Sequence, residues 1–343
     1  MTSFEAFSQQ WLPPIETEMR EMLSHEPPAL RGLYGMMRYH MGWETPEGKP
    51  DDAPRGKRIR PLLTLMTSWA AGGDPSQAIP AAAAVELLHN FSLIHDDIED
   101  QSLTRRHRPT LWSWAGEAQA LNTGDAMFVI AHLAMLRLRD RHLPAERVLD
   151  AMQTFDDTCL RLTQGQFMDL SFEERIDVTL DEYMLMISGK TAALLSASAL
   201  LGAIVAGSSQ RDPYRIFGYE LGISFQIEDD ILGIWGEEAL TGKSTTGDII
   251  TRKKTLPVLY ALGRSGPAAE RLRAFYARPE PLTENEVPEI LGLLDELEAR
   301  SFAEDMEKKH ADAALAALAD ADGDQEAIAL LRSLVKRLTR RKS

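Results

Sequence analysis

The sequence predicts an all-α protein. Apolar residues recur at helical rather than alternating spacing in almost every segment. Alanine and leucine are abundant, and no convincing pair of strands is visible. Apolar residues make up 44% of the 343 residues, so the chain can build a sizeable core in one large domain or two medium ones.

Segments rich in helix-breaking residues divide the chain into its predicted helices. The breaks lie at 45–55, which holds three prolines, and at 71–75, 108–109 and 263–267. In chain order the predicted helices lie near residues 3–23, 28–41, 58–72, 78–104, 118–138, 144–171, 180–207, 211–236, 254–262, 283–318 and 324–339. No change in composition marks a boundary, and we therefore predict one domain over residues 1–343.

Charge and cysteine usage narrow the class of protein. A net charge of −15 argues against a general nucleic-acid binder. The single cysteine, Cys159, excludes an internal disulfide and fits a reducing cytoplasm. The first residues lack the basic start and apolar core of a signal peptide, and the longest apolar run, 194–206, is too short to span a bilayer. We expect a cytoplasmic protein without a membrane span.

The first cluster of carboxylates lies at the end of an apolar helical stretch. Asp96 and Asp100 are four residues apart and share a helix face, whereas Asp97 is turned away by about 100°. Carboxylates one turn apart can bind one cation or two neighbouring cations, and magnesium completes its shell with waters and phosphate oxygens. Arg105 and Arg106 follow shortly afterwards. This segment therefore predicts a site for magnesium and a diphosphate.

A second cluster lies on another apolar helical stretch. Gln226, Asp229 and Asp230 are three and four residues apart and share a face. Gln226 can donate to a phosphate or offer its carbonyl oxygen to developing positive charge. Dense carboxylates in apolar helices repel one another unless cations lie between them. Both clusters are therefore interpreted as magnesium sites, which points to chemistry on a diphosphate ester.

Several cations could bind the phosphates. Lys190 interrupts an apolar helix, and a polar loop that contains glycine leads through Lys243 to Lys253. Such a loop can close over anions and exclude water. Lys57 and Arg60 open a further apolar helix, where free N–H groups and the helix dipole favour anions. Taken singly, each could also be a solvated side chain, but beside two metal clusters a second diphosphate pocket is the better interpretation.

In this order the elements resemble the trans-isoprenyl diphosphate synthases, or polyprenyl synthetases, over roughly residues 30–262. The matching stretches are 56–61, 86–89, 92–100, 105–106, 124–125, 165–169, 190–191, 225–230, 242–243 and 253–257. The resemblance implies a single-domain isoprenoid synthase helical bundle around a central active-site cavity. It also implies a homodimer that condenses isopentenyl diphosphate with allylic diphosphates of five to fifteen carbons.

The resemblance further implies a metal set. Asp96 and Asp100, supported by Asp97, would hold magnesium ions that bridge the allylic diphosphate. Asp229, with Asp230 near it, would hold another, to make three magnesium ions per active site. These ions would assist ionisation, after which condensation and proton loss would follow.

Substrate contacts follow from the same resemblance. The allylic diphosphate would be neutralised by Arg105, Lys190, Lys243 and Lys253. Isopentenyl diphosphate would be held by Lys57, Arg60, His89 and Arg106. Thr191 and Gln226 would lie beside the reacting carbon, and with Lys190 they form the expected catalytic group.

Two positions depart from the family pattern. The second motif usually ends in a third aspartate, where this chain has Gly233. We expect activity to survive this change, with weaker metal affinity. The glycine usual after the arginine pair is replaced by His107, which could alter the loop or add a phosphate contact.

The residues before the first motif predict product length. Phe91 lies five residues before Asp96, about 7.5 Å along a helix axis, where its ring can act as a floor. Ser92 is small and leaves space for the growing chain. Leu88 lies one helical turn before Ser92, further from Asp96. In the family this pattern resembles short-chain synthases and favours geranylgeranyl diphosphate. Otherwise Phe91 is an ordinary core ring, and Met127 or Phe128 sets the length.

Other functions remain open at this point. The product could be farnesyl or a longer polyprenyl diphosphate. A class I terpene cyclase would share the fold and the aspartate motif but would not need the second pocket of Lys57, Arg60, His89 and Arg106. A non-catalytic partner subunit would be expected to have degenerate metal ligands, and only Gly233 points that way.

Overall fold

The computed structural model describes residues 2–24, 27–54, 56–236, 247–278 and 280–339. Helices account for nearly all of its regular structure, as the apolar spacing predicts. In chain order they are α1 (Phe4–Met22), α2 (Arg31–His40), α3 (Ile59–Ala70), α4 (Ile79–Glu99), α5 (Leu111–Ala115), α6 (Glu117–Leu136), α7 (Ala145–Glu174), α8 (Leu180–Ile187), α9 (Ala193–Ala206), α10 (Asp212–Trp235), α11 (Gly247–Ile250), α12 (Leu256–Leu262), α13 (Pro267–Ala277), α14 (Val287–Glu296), α15 (Ala299–Ala317) and α16 (Gln325–Leu338). A π-helical turn, Ser188–Ala192, joins α8 to α9.

Packing divides the chain into two compact units. The first takes in Met1–Asp156, Ser198–Arg211 and Asp322–Leu331. The second takes in Asp157–Ala197, Asp212–Ala321 and Arg332–Ser343. The single domain over residues 1–343 stays a prediction.

Helix α4 forms the centre of the first unit. It is buried at every position from Ile79 to Leu88, and the run Ala81–Ala84 lets neighbouring helices approach closely. α4 packs against α6, α3 and α1. Its last turns emerge from this core, so Asp96 is half-buried and Asp100 is exposed. The first aspartate cluster therefore lies where a rigid core helix meets solvent.

Helix α10 has the corresponding position in the second unit, where it packs against α15. Polar contacts join the two helices: in a buried bond Ser224 donates to Glu307 at 2.7 Å, and His310 Nδ1 lies 2.6 Å from Glu220 Oε2 in a partly buried one. On another side, a Cβ at Gly222 would lie 2.6 Å from the Ala192 Cα. A glycine is therefore required for α10 to meet the π-helical turn.

The prediction that the chain has no strand pair is wrong at one place. β1 (Thr104–Arg105) pairs antiparallel with β2 (Arg108–Pro109). The two residues between them, Arg106 and His107, have φ of 52° and 62°. Two-residue hairpin turns of this kind favour Asn and Gly because both φ angles are positive. The turn here carries neither residue, so its usual sequence signal is missing.

Two predicted helices are too long, and both errors have the same cause. The helix predicted over 78–104 ends at Glu99, and Gln101 follows with φ 52° while the Ser102 N–H donates to the Asp97 carbonyl at 3.0 Å. The helix predicted over 283–318 is broken between α14 and α15, where Glu298 has φ 58°. Left-handed residues of this kind end helices and are usually glycine. Neither position gives that signal.

Among the described residues, three helices were not predicted: α5, α11 and α13. The start of α13 is informative, because Pro267 sits in its first turn after Gly266. The sequence predicts a break at 263–267, but proline is also favoured at the first helical position, which Pro267 occupies. The segment 263–267 therefore both breaks the preceding helix and leads into α13.

One helical stretch, Leu180–Ala206, is long and apolar enough by composition to cross a membrane. Within its apolar window, 72% is buried inside the protein, as expected for a core helix.

Candidate active site

In the first unit, the adjacent aspartates of α4 have different surroundings. Asp97 is only 2% exposed, and the Arg105 Nε donates to its Oδ1 at 2.7 Å. Burial raises the pKa of Asp97, and Arg105 opposes that rise. Asp96, by contrast, is half-buried and Asp100 is exposed. Asp97 therefore ties the hairpin to α4.

The hairpin also brings Arg106 to the loop before α3. Gly56 has φ 76°, and a Cβ there would lie 3.2 Å from a terminal nitrogen of Arg106. Burial lowers the pKa of Arg106 from its ordinary value. The close approach explains why a glycine stands before the exposed Lys57.

Arg60 and His89 meet beside this hairpin. Arg60 Nη1 lies 3.3 Å from His89 Nε2. Burial lowers the pKa of His89 well below its usual range, and Arg60, Arg106 and Arg105 lower it further. A neutral His89 among guanidinium groups leaves the pocket with an excess of positive charge, which suits an anionic ligand.

Arg58 stands between these residues in the sequence but serves the fold. It is 6% exposed, and its guanidinium lies 2.6 Å from Glu86 and 3.1 Å from Glu16. Its φ of 49° turns the side chain into the protein at the start of α3. A buried pair of this kind satisfies its own charges, so Arg58 differs from Lys57 and Arg60.

Sequence reasoning missed His40, the last residue of α2. It lines a small pocket with Asp97, Arg105 and Arg106. Burial lowers its pKa well below the usual range, and Arg106 lowers it further. Its Nε2 atom is buried and has no hydrogen-bond partner among the residues that the structure describes. No motif or spacing in the sequence marks this residue.

The predicted chain-length residues lie on α4, below Asp96. Leu88 is fully buried and Ser92 is 9% exposed, while Phe91 is half-buried. The Phe91 ring packs against Phe128 of α6, with 4.9 Å between ring centroids. The two aromatic residues considered for the floor are thus in contact with each other.

In the second unit, Asp230 is the centre of a hydrogen-bond network on α10. It is 3% exposed and accepts hydrogen bonds from the Tyr183 hydroxyl at 2.5 Å and the Leu256 N–H at 2.9 Å. The Gln226 amide nitrogen donates to it at 3.1 Å, and Thr191 in turn donates to Gln226 at 2.7 Å. This network fixes the orientation of the Gln226 amide.

Burial shifts the pKa values of Asp230 and Tyr183 in this network. It raises the pKa of Asp230 to about 6, while nearby Lys253 and the Tyr183 hydroxyl hold it down. Burial and the Asp230 charge together raise the pKa of Tyr183 well above its usual range. The adjacent Asp229 is half-buried instead, so the second pair of aspartates is also divided into an inner and an outer carboxylate.

Lys190 and Thr191 lie in the π-helical turn, an irregularity common at functional sites. Glycines make the turn possible, since a Cβ at Gly165 would lie 2.1 Å from the Lys190 nitrogen and one at Gly189 would meet the Arg161 carbonyl. The Lys190 Nζ donates to Asp169 at 2.5 Å. Asp169 thus holds the ammonium group in place.

The cations predicted after α10 are only partly described. Lys243 lies outside the described residues. Lys253 is exposed and lies close enough to Asp230 to lower its pKa.

Within the described ranges, no group of three or more His, Cys, Asp or Glu side chains converges to hold a metal ion alone. Magnesium seldom needs such a cage, because it keeps waters and is bound by one or two carboxylates together with substrate phosphates. The half-exposed, oxygen-only donors Asp96 and Asp229 fit that chemistry.

Comparison with known proteins decides to which enzyme family the chain belongs. Residues 52–294 match the family described as polyprenyl synthetase. The chain belongs to the polyprenyl synthetase family. Its enzymes are isoprenyl diphosphate synthases, and the chain is a short-chain trans-prenyltransferase that acts on prenyl diphosphates, in a family that uses Mg²⁺.

Relatives of this polyprenyl synthetase differ in product. The (2E,6E)-farnesyl diphosphate synthase of Mycobacterium tuberculosis is 43% identical over 263 residues, which are 76% of this chain and 71% of that protein. The geranylgeranyl diphosphate synthase of the same species is 38% identical over 307 residues, 89% and 87% of the two chains. Similarity alone therefore leaves the product length open.

Solved structures confirm the predicted all-helical isoprenoid synthase fold. The crystal structure of polyprenyl synthetase from Streptomyces coelicolor matches with a TM-score of 0.88 and 33% identity. The match covers 97% of this chain and 98% of that one.

The departure from the family motif at Gly233 has a counterpart in the structure. A Cβ at Gly233 would lie 2.2 Å from Oδ2 of Asp248, a residue of α11. The Asp248 carboxylate thus fills the space beside α10 that a side chain at position 233 would need. Asp229 lies one helical turn before Gly233 on the same face.

The other departure, His107, leaves the hairpin turn intact. Its φ of 62° is the left-handed conformation for which glycine is the usual residue.

Proposed function

We propose that this prenyltransferase condenses isopentenyl diphosphate with allylic diphosphates and releases mainly geranylgeranyl diphosphate. The observation that carries this proposal is the contact between the Phe91 and Phe128 rings, whose centroids are 4.9 Å apart. Phe91 lies about 7.5 Å along α4 from Asp96, at ~1.5 Å per residue. Two large rings in contact form a floor that a single ring could leave open.

The first unit supplies the isopentenyl diphosphate pocket in this proposal. Arg60, Arg106 and the exposed Lys57 bind its diphosphate, and neutral His89 donates a hydrogen bond without adding charge. Buried Arg58 and Glu86 hold the start of α3 in place. A second diphosphate pocket is the feature that a terpene cyclase would not need.

The proposed magnesium ligands follow from the difference in burial between the two aspartates of each pair. We assign magnesium to Asp96 and Asp100 in the first unit, and we also assign magnesium to Asp229 in the second. The resemblance to the family implies three ions per active site. Asp97 and Asp230 are almost fully buried, and we assign them to holding Arg105 and Gln226. Bound magnesium would supply Lewis-acid stabilisation of the leaving diphosphate.

The remaining residues act on charge and orientation. Arg105, Lys190 and Lys253, with Lys243, neutralise the allylic diphosphate. Thr191 and Gln226 present oxygen atoms to the developing allylic cation, because the Gln226 amide nitrogen is already committed to Asp230. The proton leaves to the released diphosphate, since we assign no other base.

Asp248 compensates for Gly233 in this scheme. Its carboxylate occupies the space beside the Gly233 Cα and can bind waters of the metal held by Asp229. Gly233→Ala must displace Asp248, so it and Asp248→Asn should each weaken Mn²⁺ binding in the presence of inorganic diphosphate about tenfold or more. Gly292→Ala, where a Cβ meets nothing within 4 Å, is the matched control. Unchanged Mn²⁺ binding in both variants would remove Asp248 from the site.

The product itself is tested directly. Purified protein is incubated with magnesium, labelled isopentenyl diphosphate and a five-, ten- or fifteen-carbon allylic diphosphate, and the dephosphorylated products are sized. A dominant C20 alcohol supports the proposal, and Phe91→Ala should then lengthen the product. A C15 or longer product keeps the enzyme class and rejects the floor.

The second candidate product is farnesyl diphosphate, favoured by the 43% identity to a farnesyl diphosphate synthase. The same assay separates the two, because a farnesyl enzyme stops at C15 when supplied with the ten-carbon substrate. Hydrocarbon released from the allylic substrate alone would indicate a cyclase, and no turnover would indicate a non-catalytic subunit.

Assembly and location are part of the proposal. A homodimer is supported by four large apolar side chains of α6, each at least 43% exposed: Leu121, Val129, Leu133 and Leu136. Light scattering on purified protein tests it, and a monomer at all concentrations would reject it. The single, buried Cys159 supports the cytoplasm as the location.

A further inference from the structure

Five rings of the first unit form a continuous row that joins α4, α6 and α7. The row runs from His95 through Phe91, Phe128 and His132 to Phe155, with centroid distances of 4.8, 4.9, 4.5 and 5.0 Å. Every contact is tilted or edge-on, the arrangement that aromatic pairs prefer. Phe128 is therefore held on one side by Phe91 and on the other by His132.

His132 is fixed at both of its ring nitrogens. Nδ1 lies 2.8 Å from the Phe128 carbonyl oxygen, and Nε2 lies 2.9 Å from Oδ1 of Asp156. Both partners can only accept hydrogen bonds, so both bonds form together only when each nitrogen carries a proton. The ring is thus held between a backbone carbonyl of its own helix, α6, and the Asp156 carboxylate.

The support behind His132 is rigid. Phe155 is fully buried on α7, and its ring lies at 81° to the imidazole. Asp156, the next residue, is more than half exposed and reaches His132 from the same helix. A ring bonded at two atoms and packed on a buried phenylalanine can move little, so Phe128 cannot turn away from Phe91 on that side.

We propose that His132 is a positioning residue for product length, which holds Phe128 against Phe91 through its bond to Asp156. This proposal deepens the proposed function and rests on it, since it assumes that these rings end the tunnel for the growing chain. His132 does not touch substrate in this account. Its effect is on the ratio of products, not on the rate of condensation.

The test compares product ratios in four variants. His132→Ala removes the ring and both bonds, whereas Asp156→Asn keeps an acceptor but removes the charge at an exposed position where folding is not at risk. Asp156→Glu retains the carboxylate, and His310→Ala removes a carboxylate-bonded histidine of the second unit as the matched control. Products are sized after dephosphorylation, with the KM for isopentenyl diphosphate and the melting temperature of each variant measured alongside.

We expect His132→Ala to raise the ratio of the next longer product to the parent product about two- to tenfold. This range corresponds to the ~0.5–1.5 kcal/mol of an edge-on aromatic contact. Asp156→Asn should give a smaller rise in the same direction, while Asp156→Glu and His310→Ala should match the parent. The KM should stay unchanged throughout.

An unchanged ratio in both His132→Ala and Asp156→Asn would overturn the proposal. So would a change in rate or KM without a change in ratio, which is the signature of a merely structural role. The ratio is measured against whatever length the parent makes. A C15 parent would therefore reject the proposed product and still allow the role of His132 to be decided.

Discussion

The two aspartate pairs, Asp96–Asp97 in the first unit and Asp229–Asp230 in the second, place their carboxylates in the same way. In each pair the first residue is half-buried and the second is at most 3% exposed. The partners of the buried residue differ. Asp97 is paired with the cationic Arg105, which is itself 30% exposed at the side chain. Asp230 is held by neutral donors, among them the Tyr183 hydroxyl.

This difference shows that one local motif can be stabilised in two ways. A buried carboxylate paired with a cation keeps its charge, whereas one held by neutral dipoles has a higher pKa. Burial raises the pKa of both Asp97 and Asp230, and it raises that of Asp230 to about 6. We infer that the second pair is built into a rigid network, while the first is tied to a hairpin at the surface.

The largest effect should come from the outer carboxylates. Asp96→Ala or Asp229→Ala should each lower turnover at least about a thousandfold, because metal ions supply several kcal/mol of charge stabilisation and 1.36 kcal/mol is tenfold in rate. Product formation with labelled isopentenyl diphosphate measures it, and unchanged melting temperatures show that the fold is intact. Substantial turnover in either variant would reject the metal assignment.

Loss of the inner carboxylate of the second unit should affect folding instead. Asp230→Ala leaves the Tyr183 hydroxyl and the Leu256 N–H buried without an acceptor. The free energy of unfolding should fall by about 2–3 kcal/mol, the cost of stranding buried polar groups. Urea unfolding checks this, with Asp229→Ala as the control. Equal stability of Asp230→Ala and Asp229→Ala would contradict the claim that only the inner aspartate supports the fold.

The pH dependence of stability should distinguish Asp230 further. Its pKa of about 6 is above the ordinary 3.8, so between these values the folded protein binds a proton that the unfolded chain has released. The stabilisation from this group is complete below about pH 4 and is lost as the pH rises through 6. Asp230→Asn lacks this titration.

The unfolding free energy of Asp230→Asn relative to the parent should therefore rise between pH 4 and 7, by about 2 kcal/mol. Unfolding in urea with a chelator present, at several pH values, measures the difference. A flat or falling difference would show that Asp230 is ionised throughout.

The smallest effect is expected at the inner carboxylate of the first unit. Asp97→Ala leaves Arg105 without its 2.7 Å partner, but this guanidinium can be hydrated at the surface. The free energy of unfolding should fall by no more than about 1 kcal/mol. A loss as large as that of Asp230→Ala would remove the contrast between the two pairs.

Much of the fold was predictable because the apolar spacing is strong. The sequence predicts α6, α7 and α10 to within three residues of their observed ends. Helix ends were missed where non-glycine residues take left-handed conformations, as at Gln101 and Glu298. In these positions tertiary packing overrides local preference, and the sequence carries no signal of it.

The residues of the candidate site could also be predicted from the sequence. The sequence does not show which aspartate of each pair is buried and which is exposed to ligands. Spacing places Asp96 and Asp97 side by side, yet only the hairpin decides which one is buried. The match of Asp248 to Gly233 is a contact between two elements and leaves no local pattern. His40 and His132 were missed because their roles depend on neighbours distant in sequence.

The central claim is that the outer aspartate of each pair binds metal and the inner one does not. Its most direct test is Mn²⁺ binding, monitored by electron paramagnetic resonance with inorganic diphosphate present. Asp96→Asn, Asp97→Asn, Asp229→Asn and Asp230→Asn would be compared with the parent. We predict that the two outer variants lose bound Mn²⁺ and that the two inner variants retain the parent stoichiometry. Loss of Mn²⁺ from Asp97→Asn and Asp230→Asn as great as from their neighbours would contradict the account.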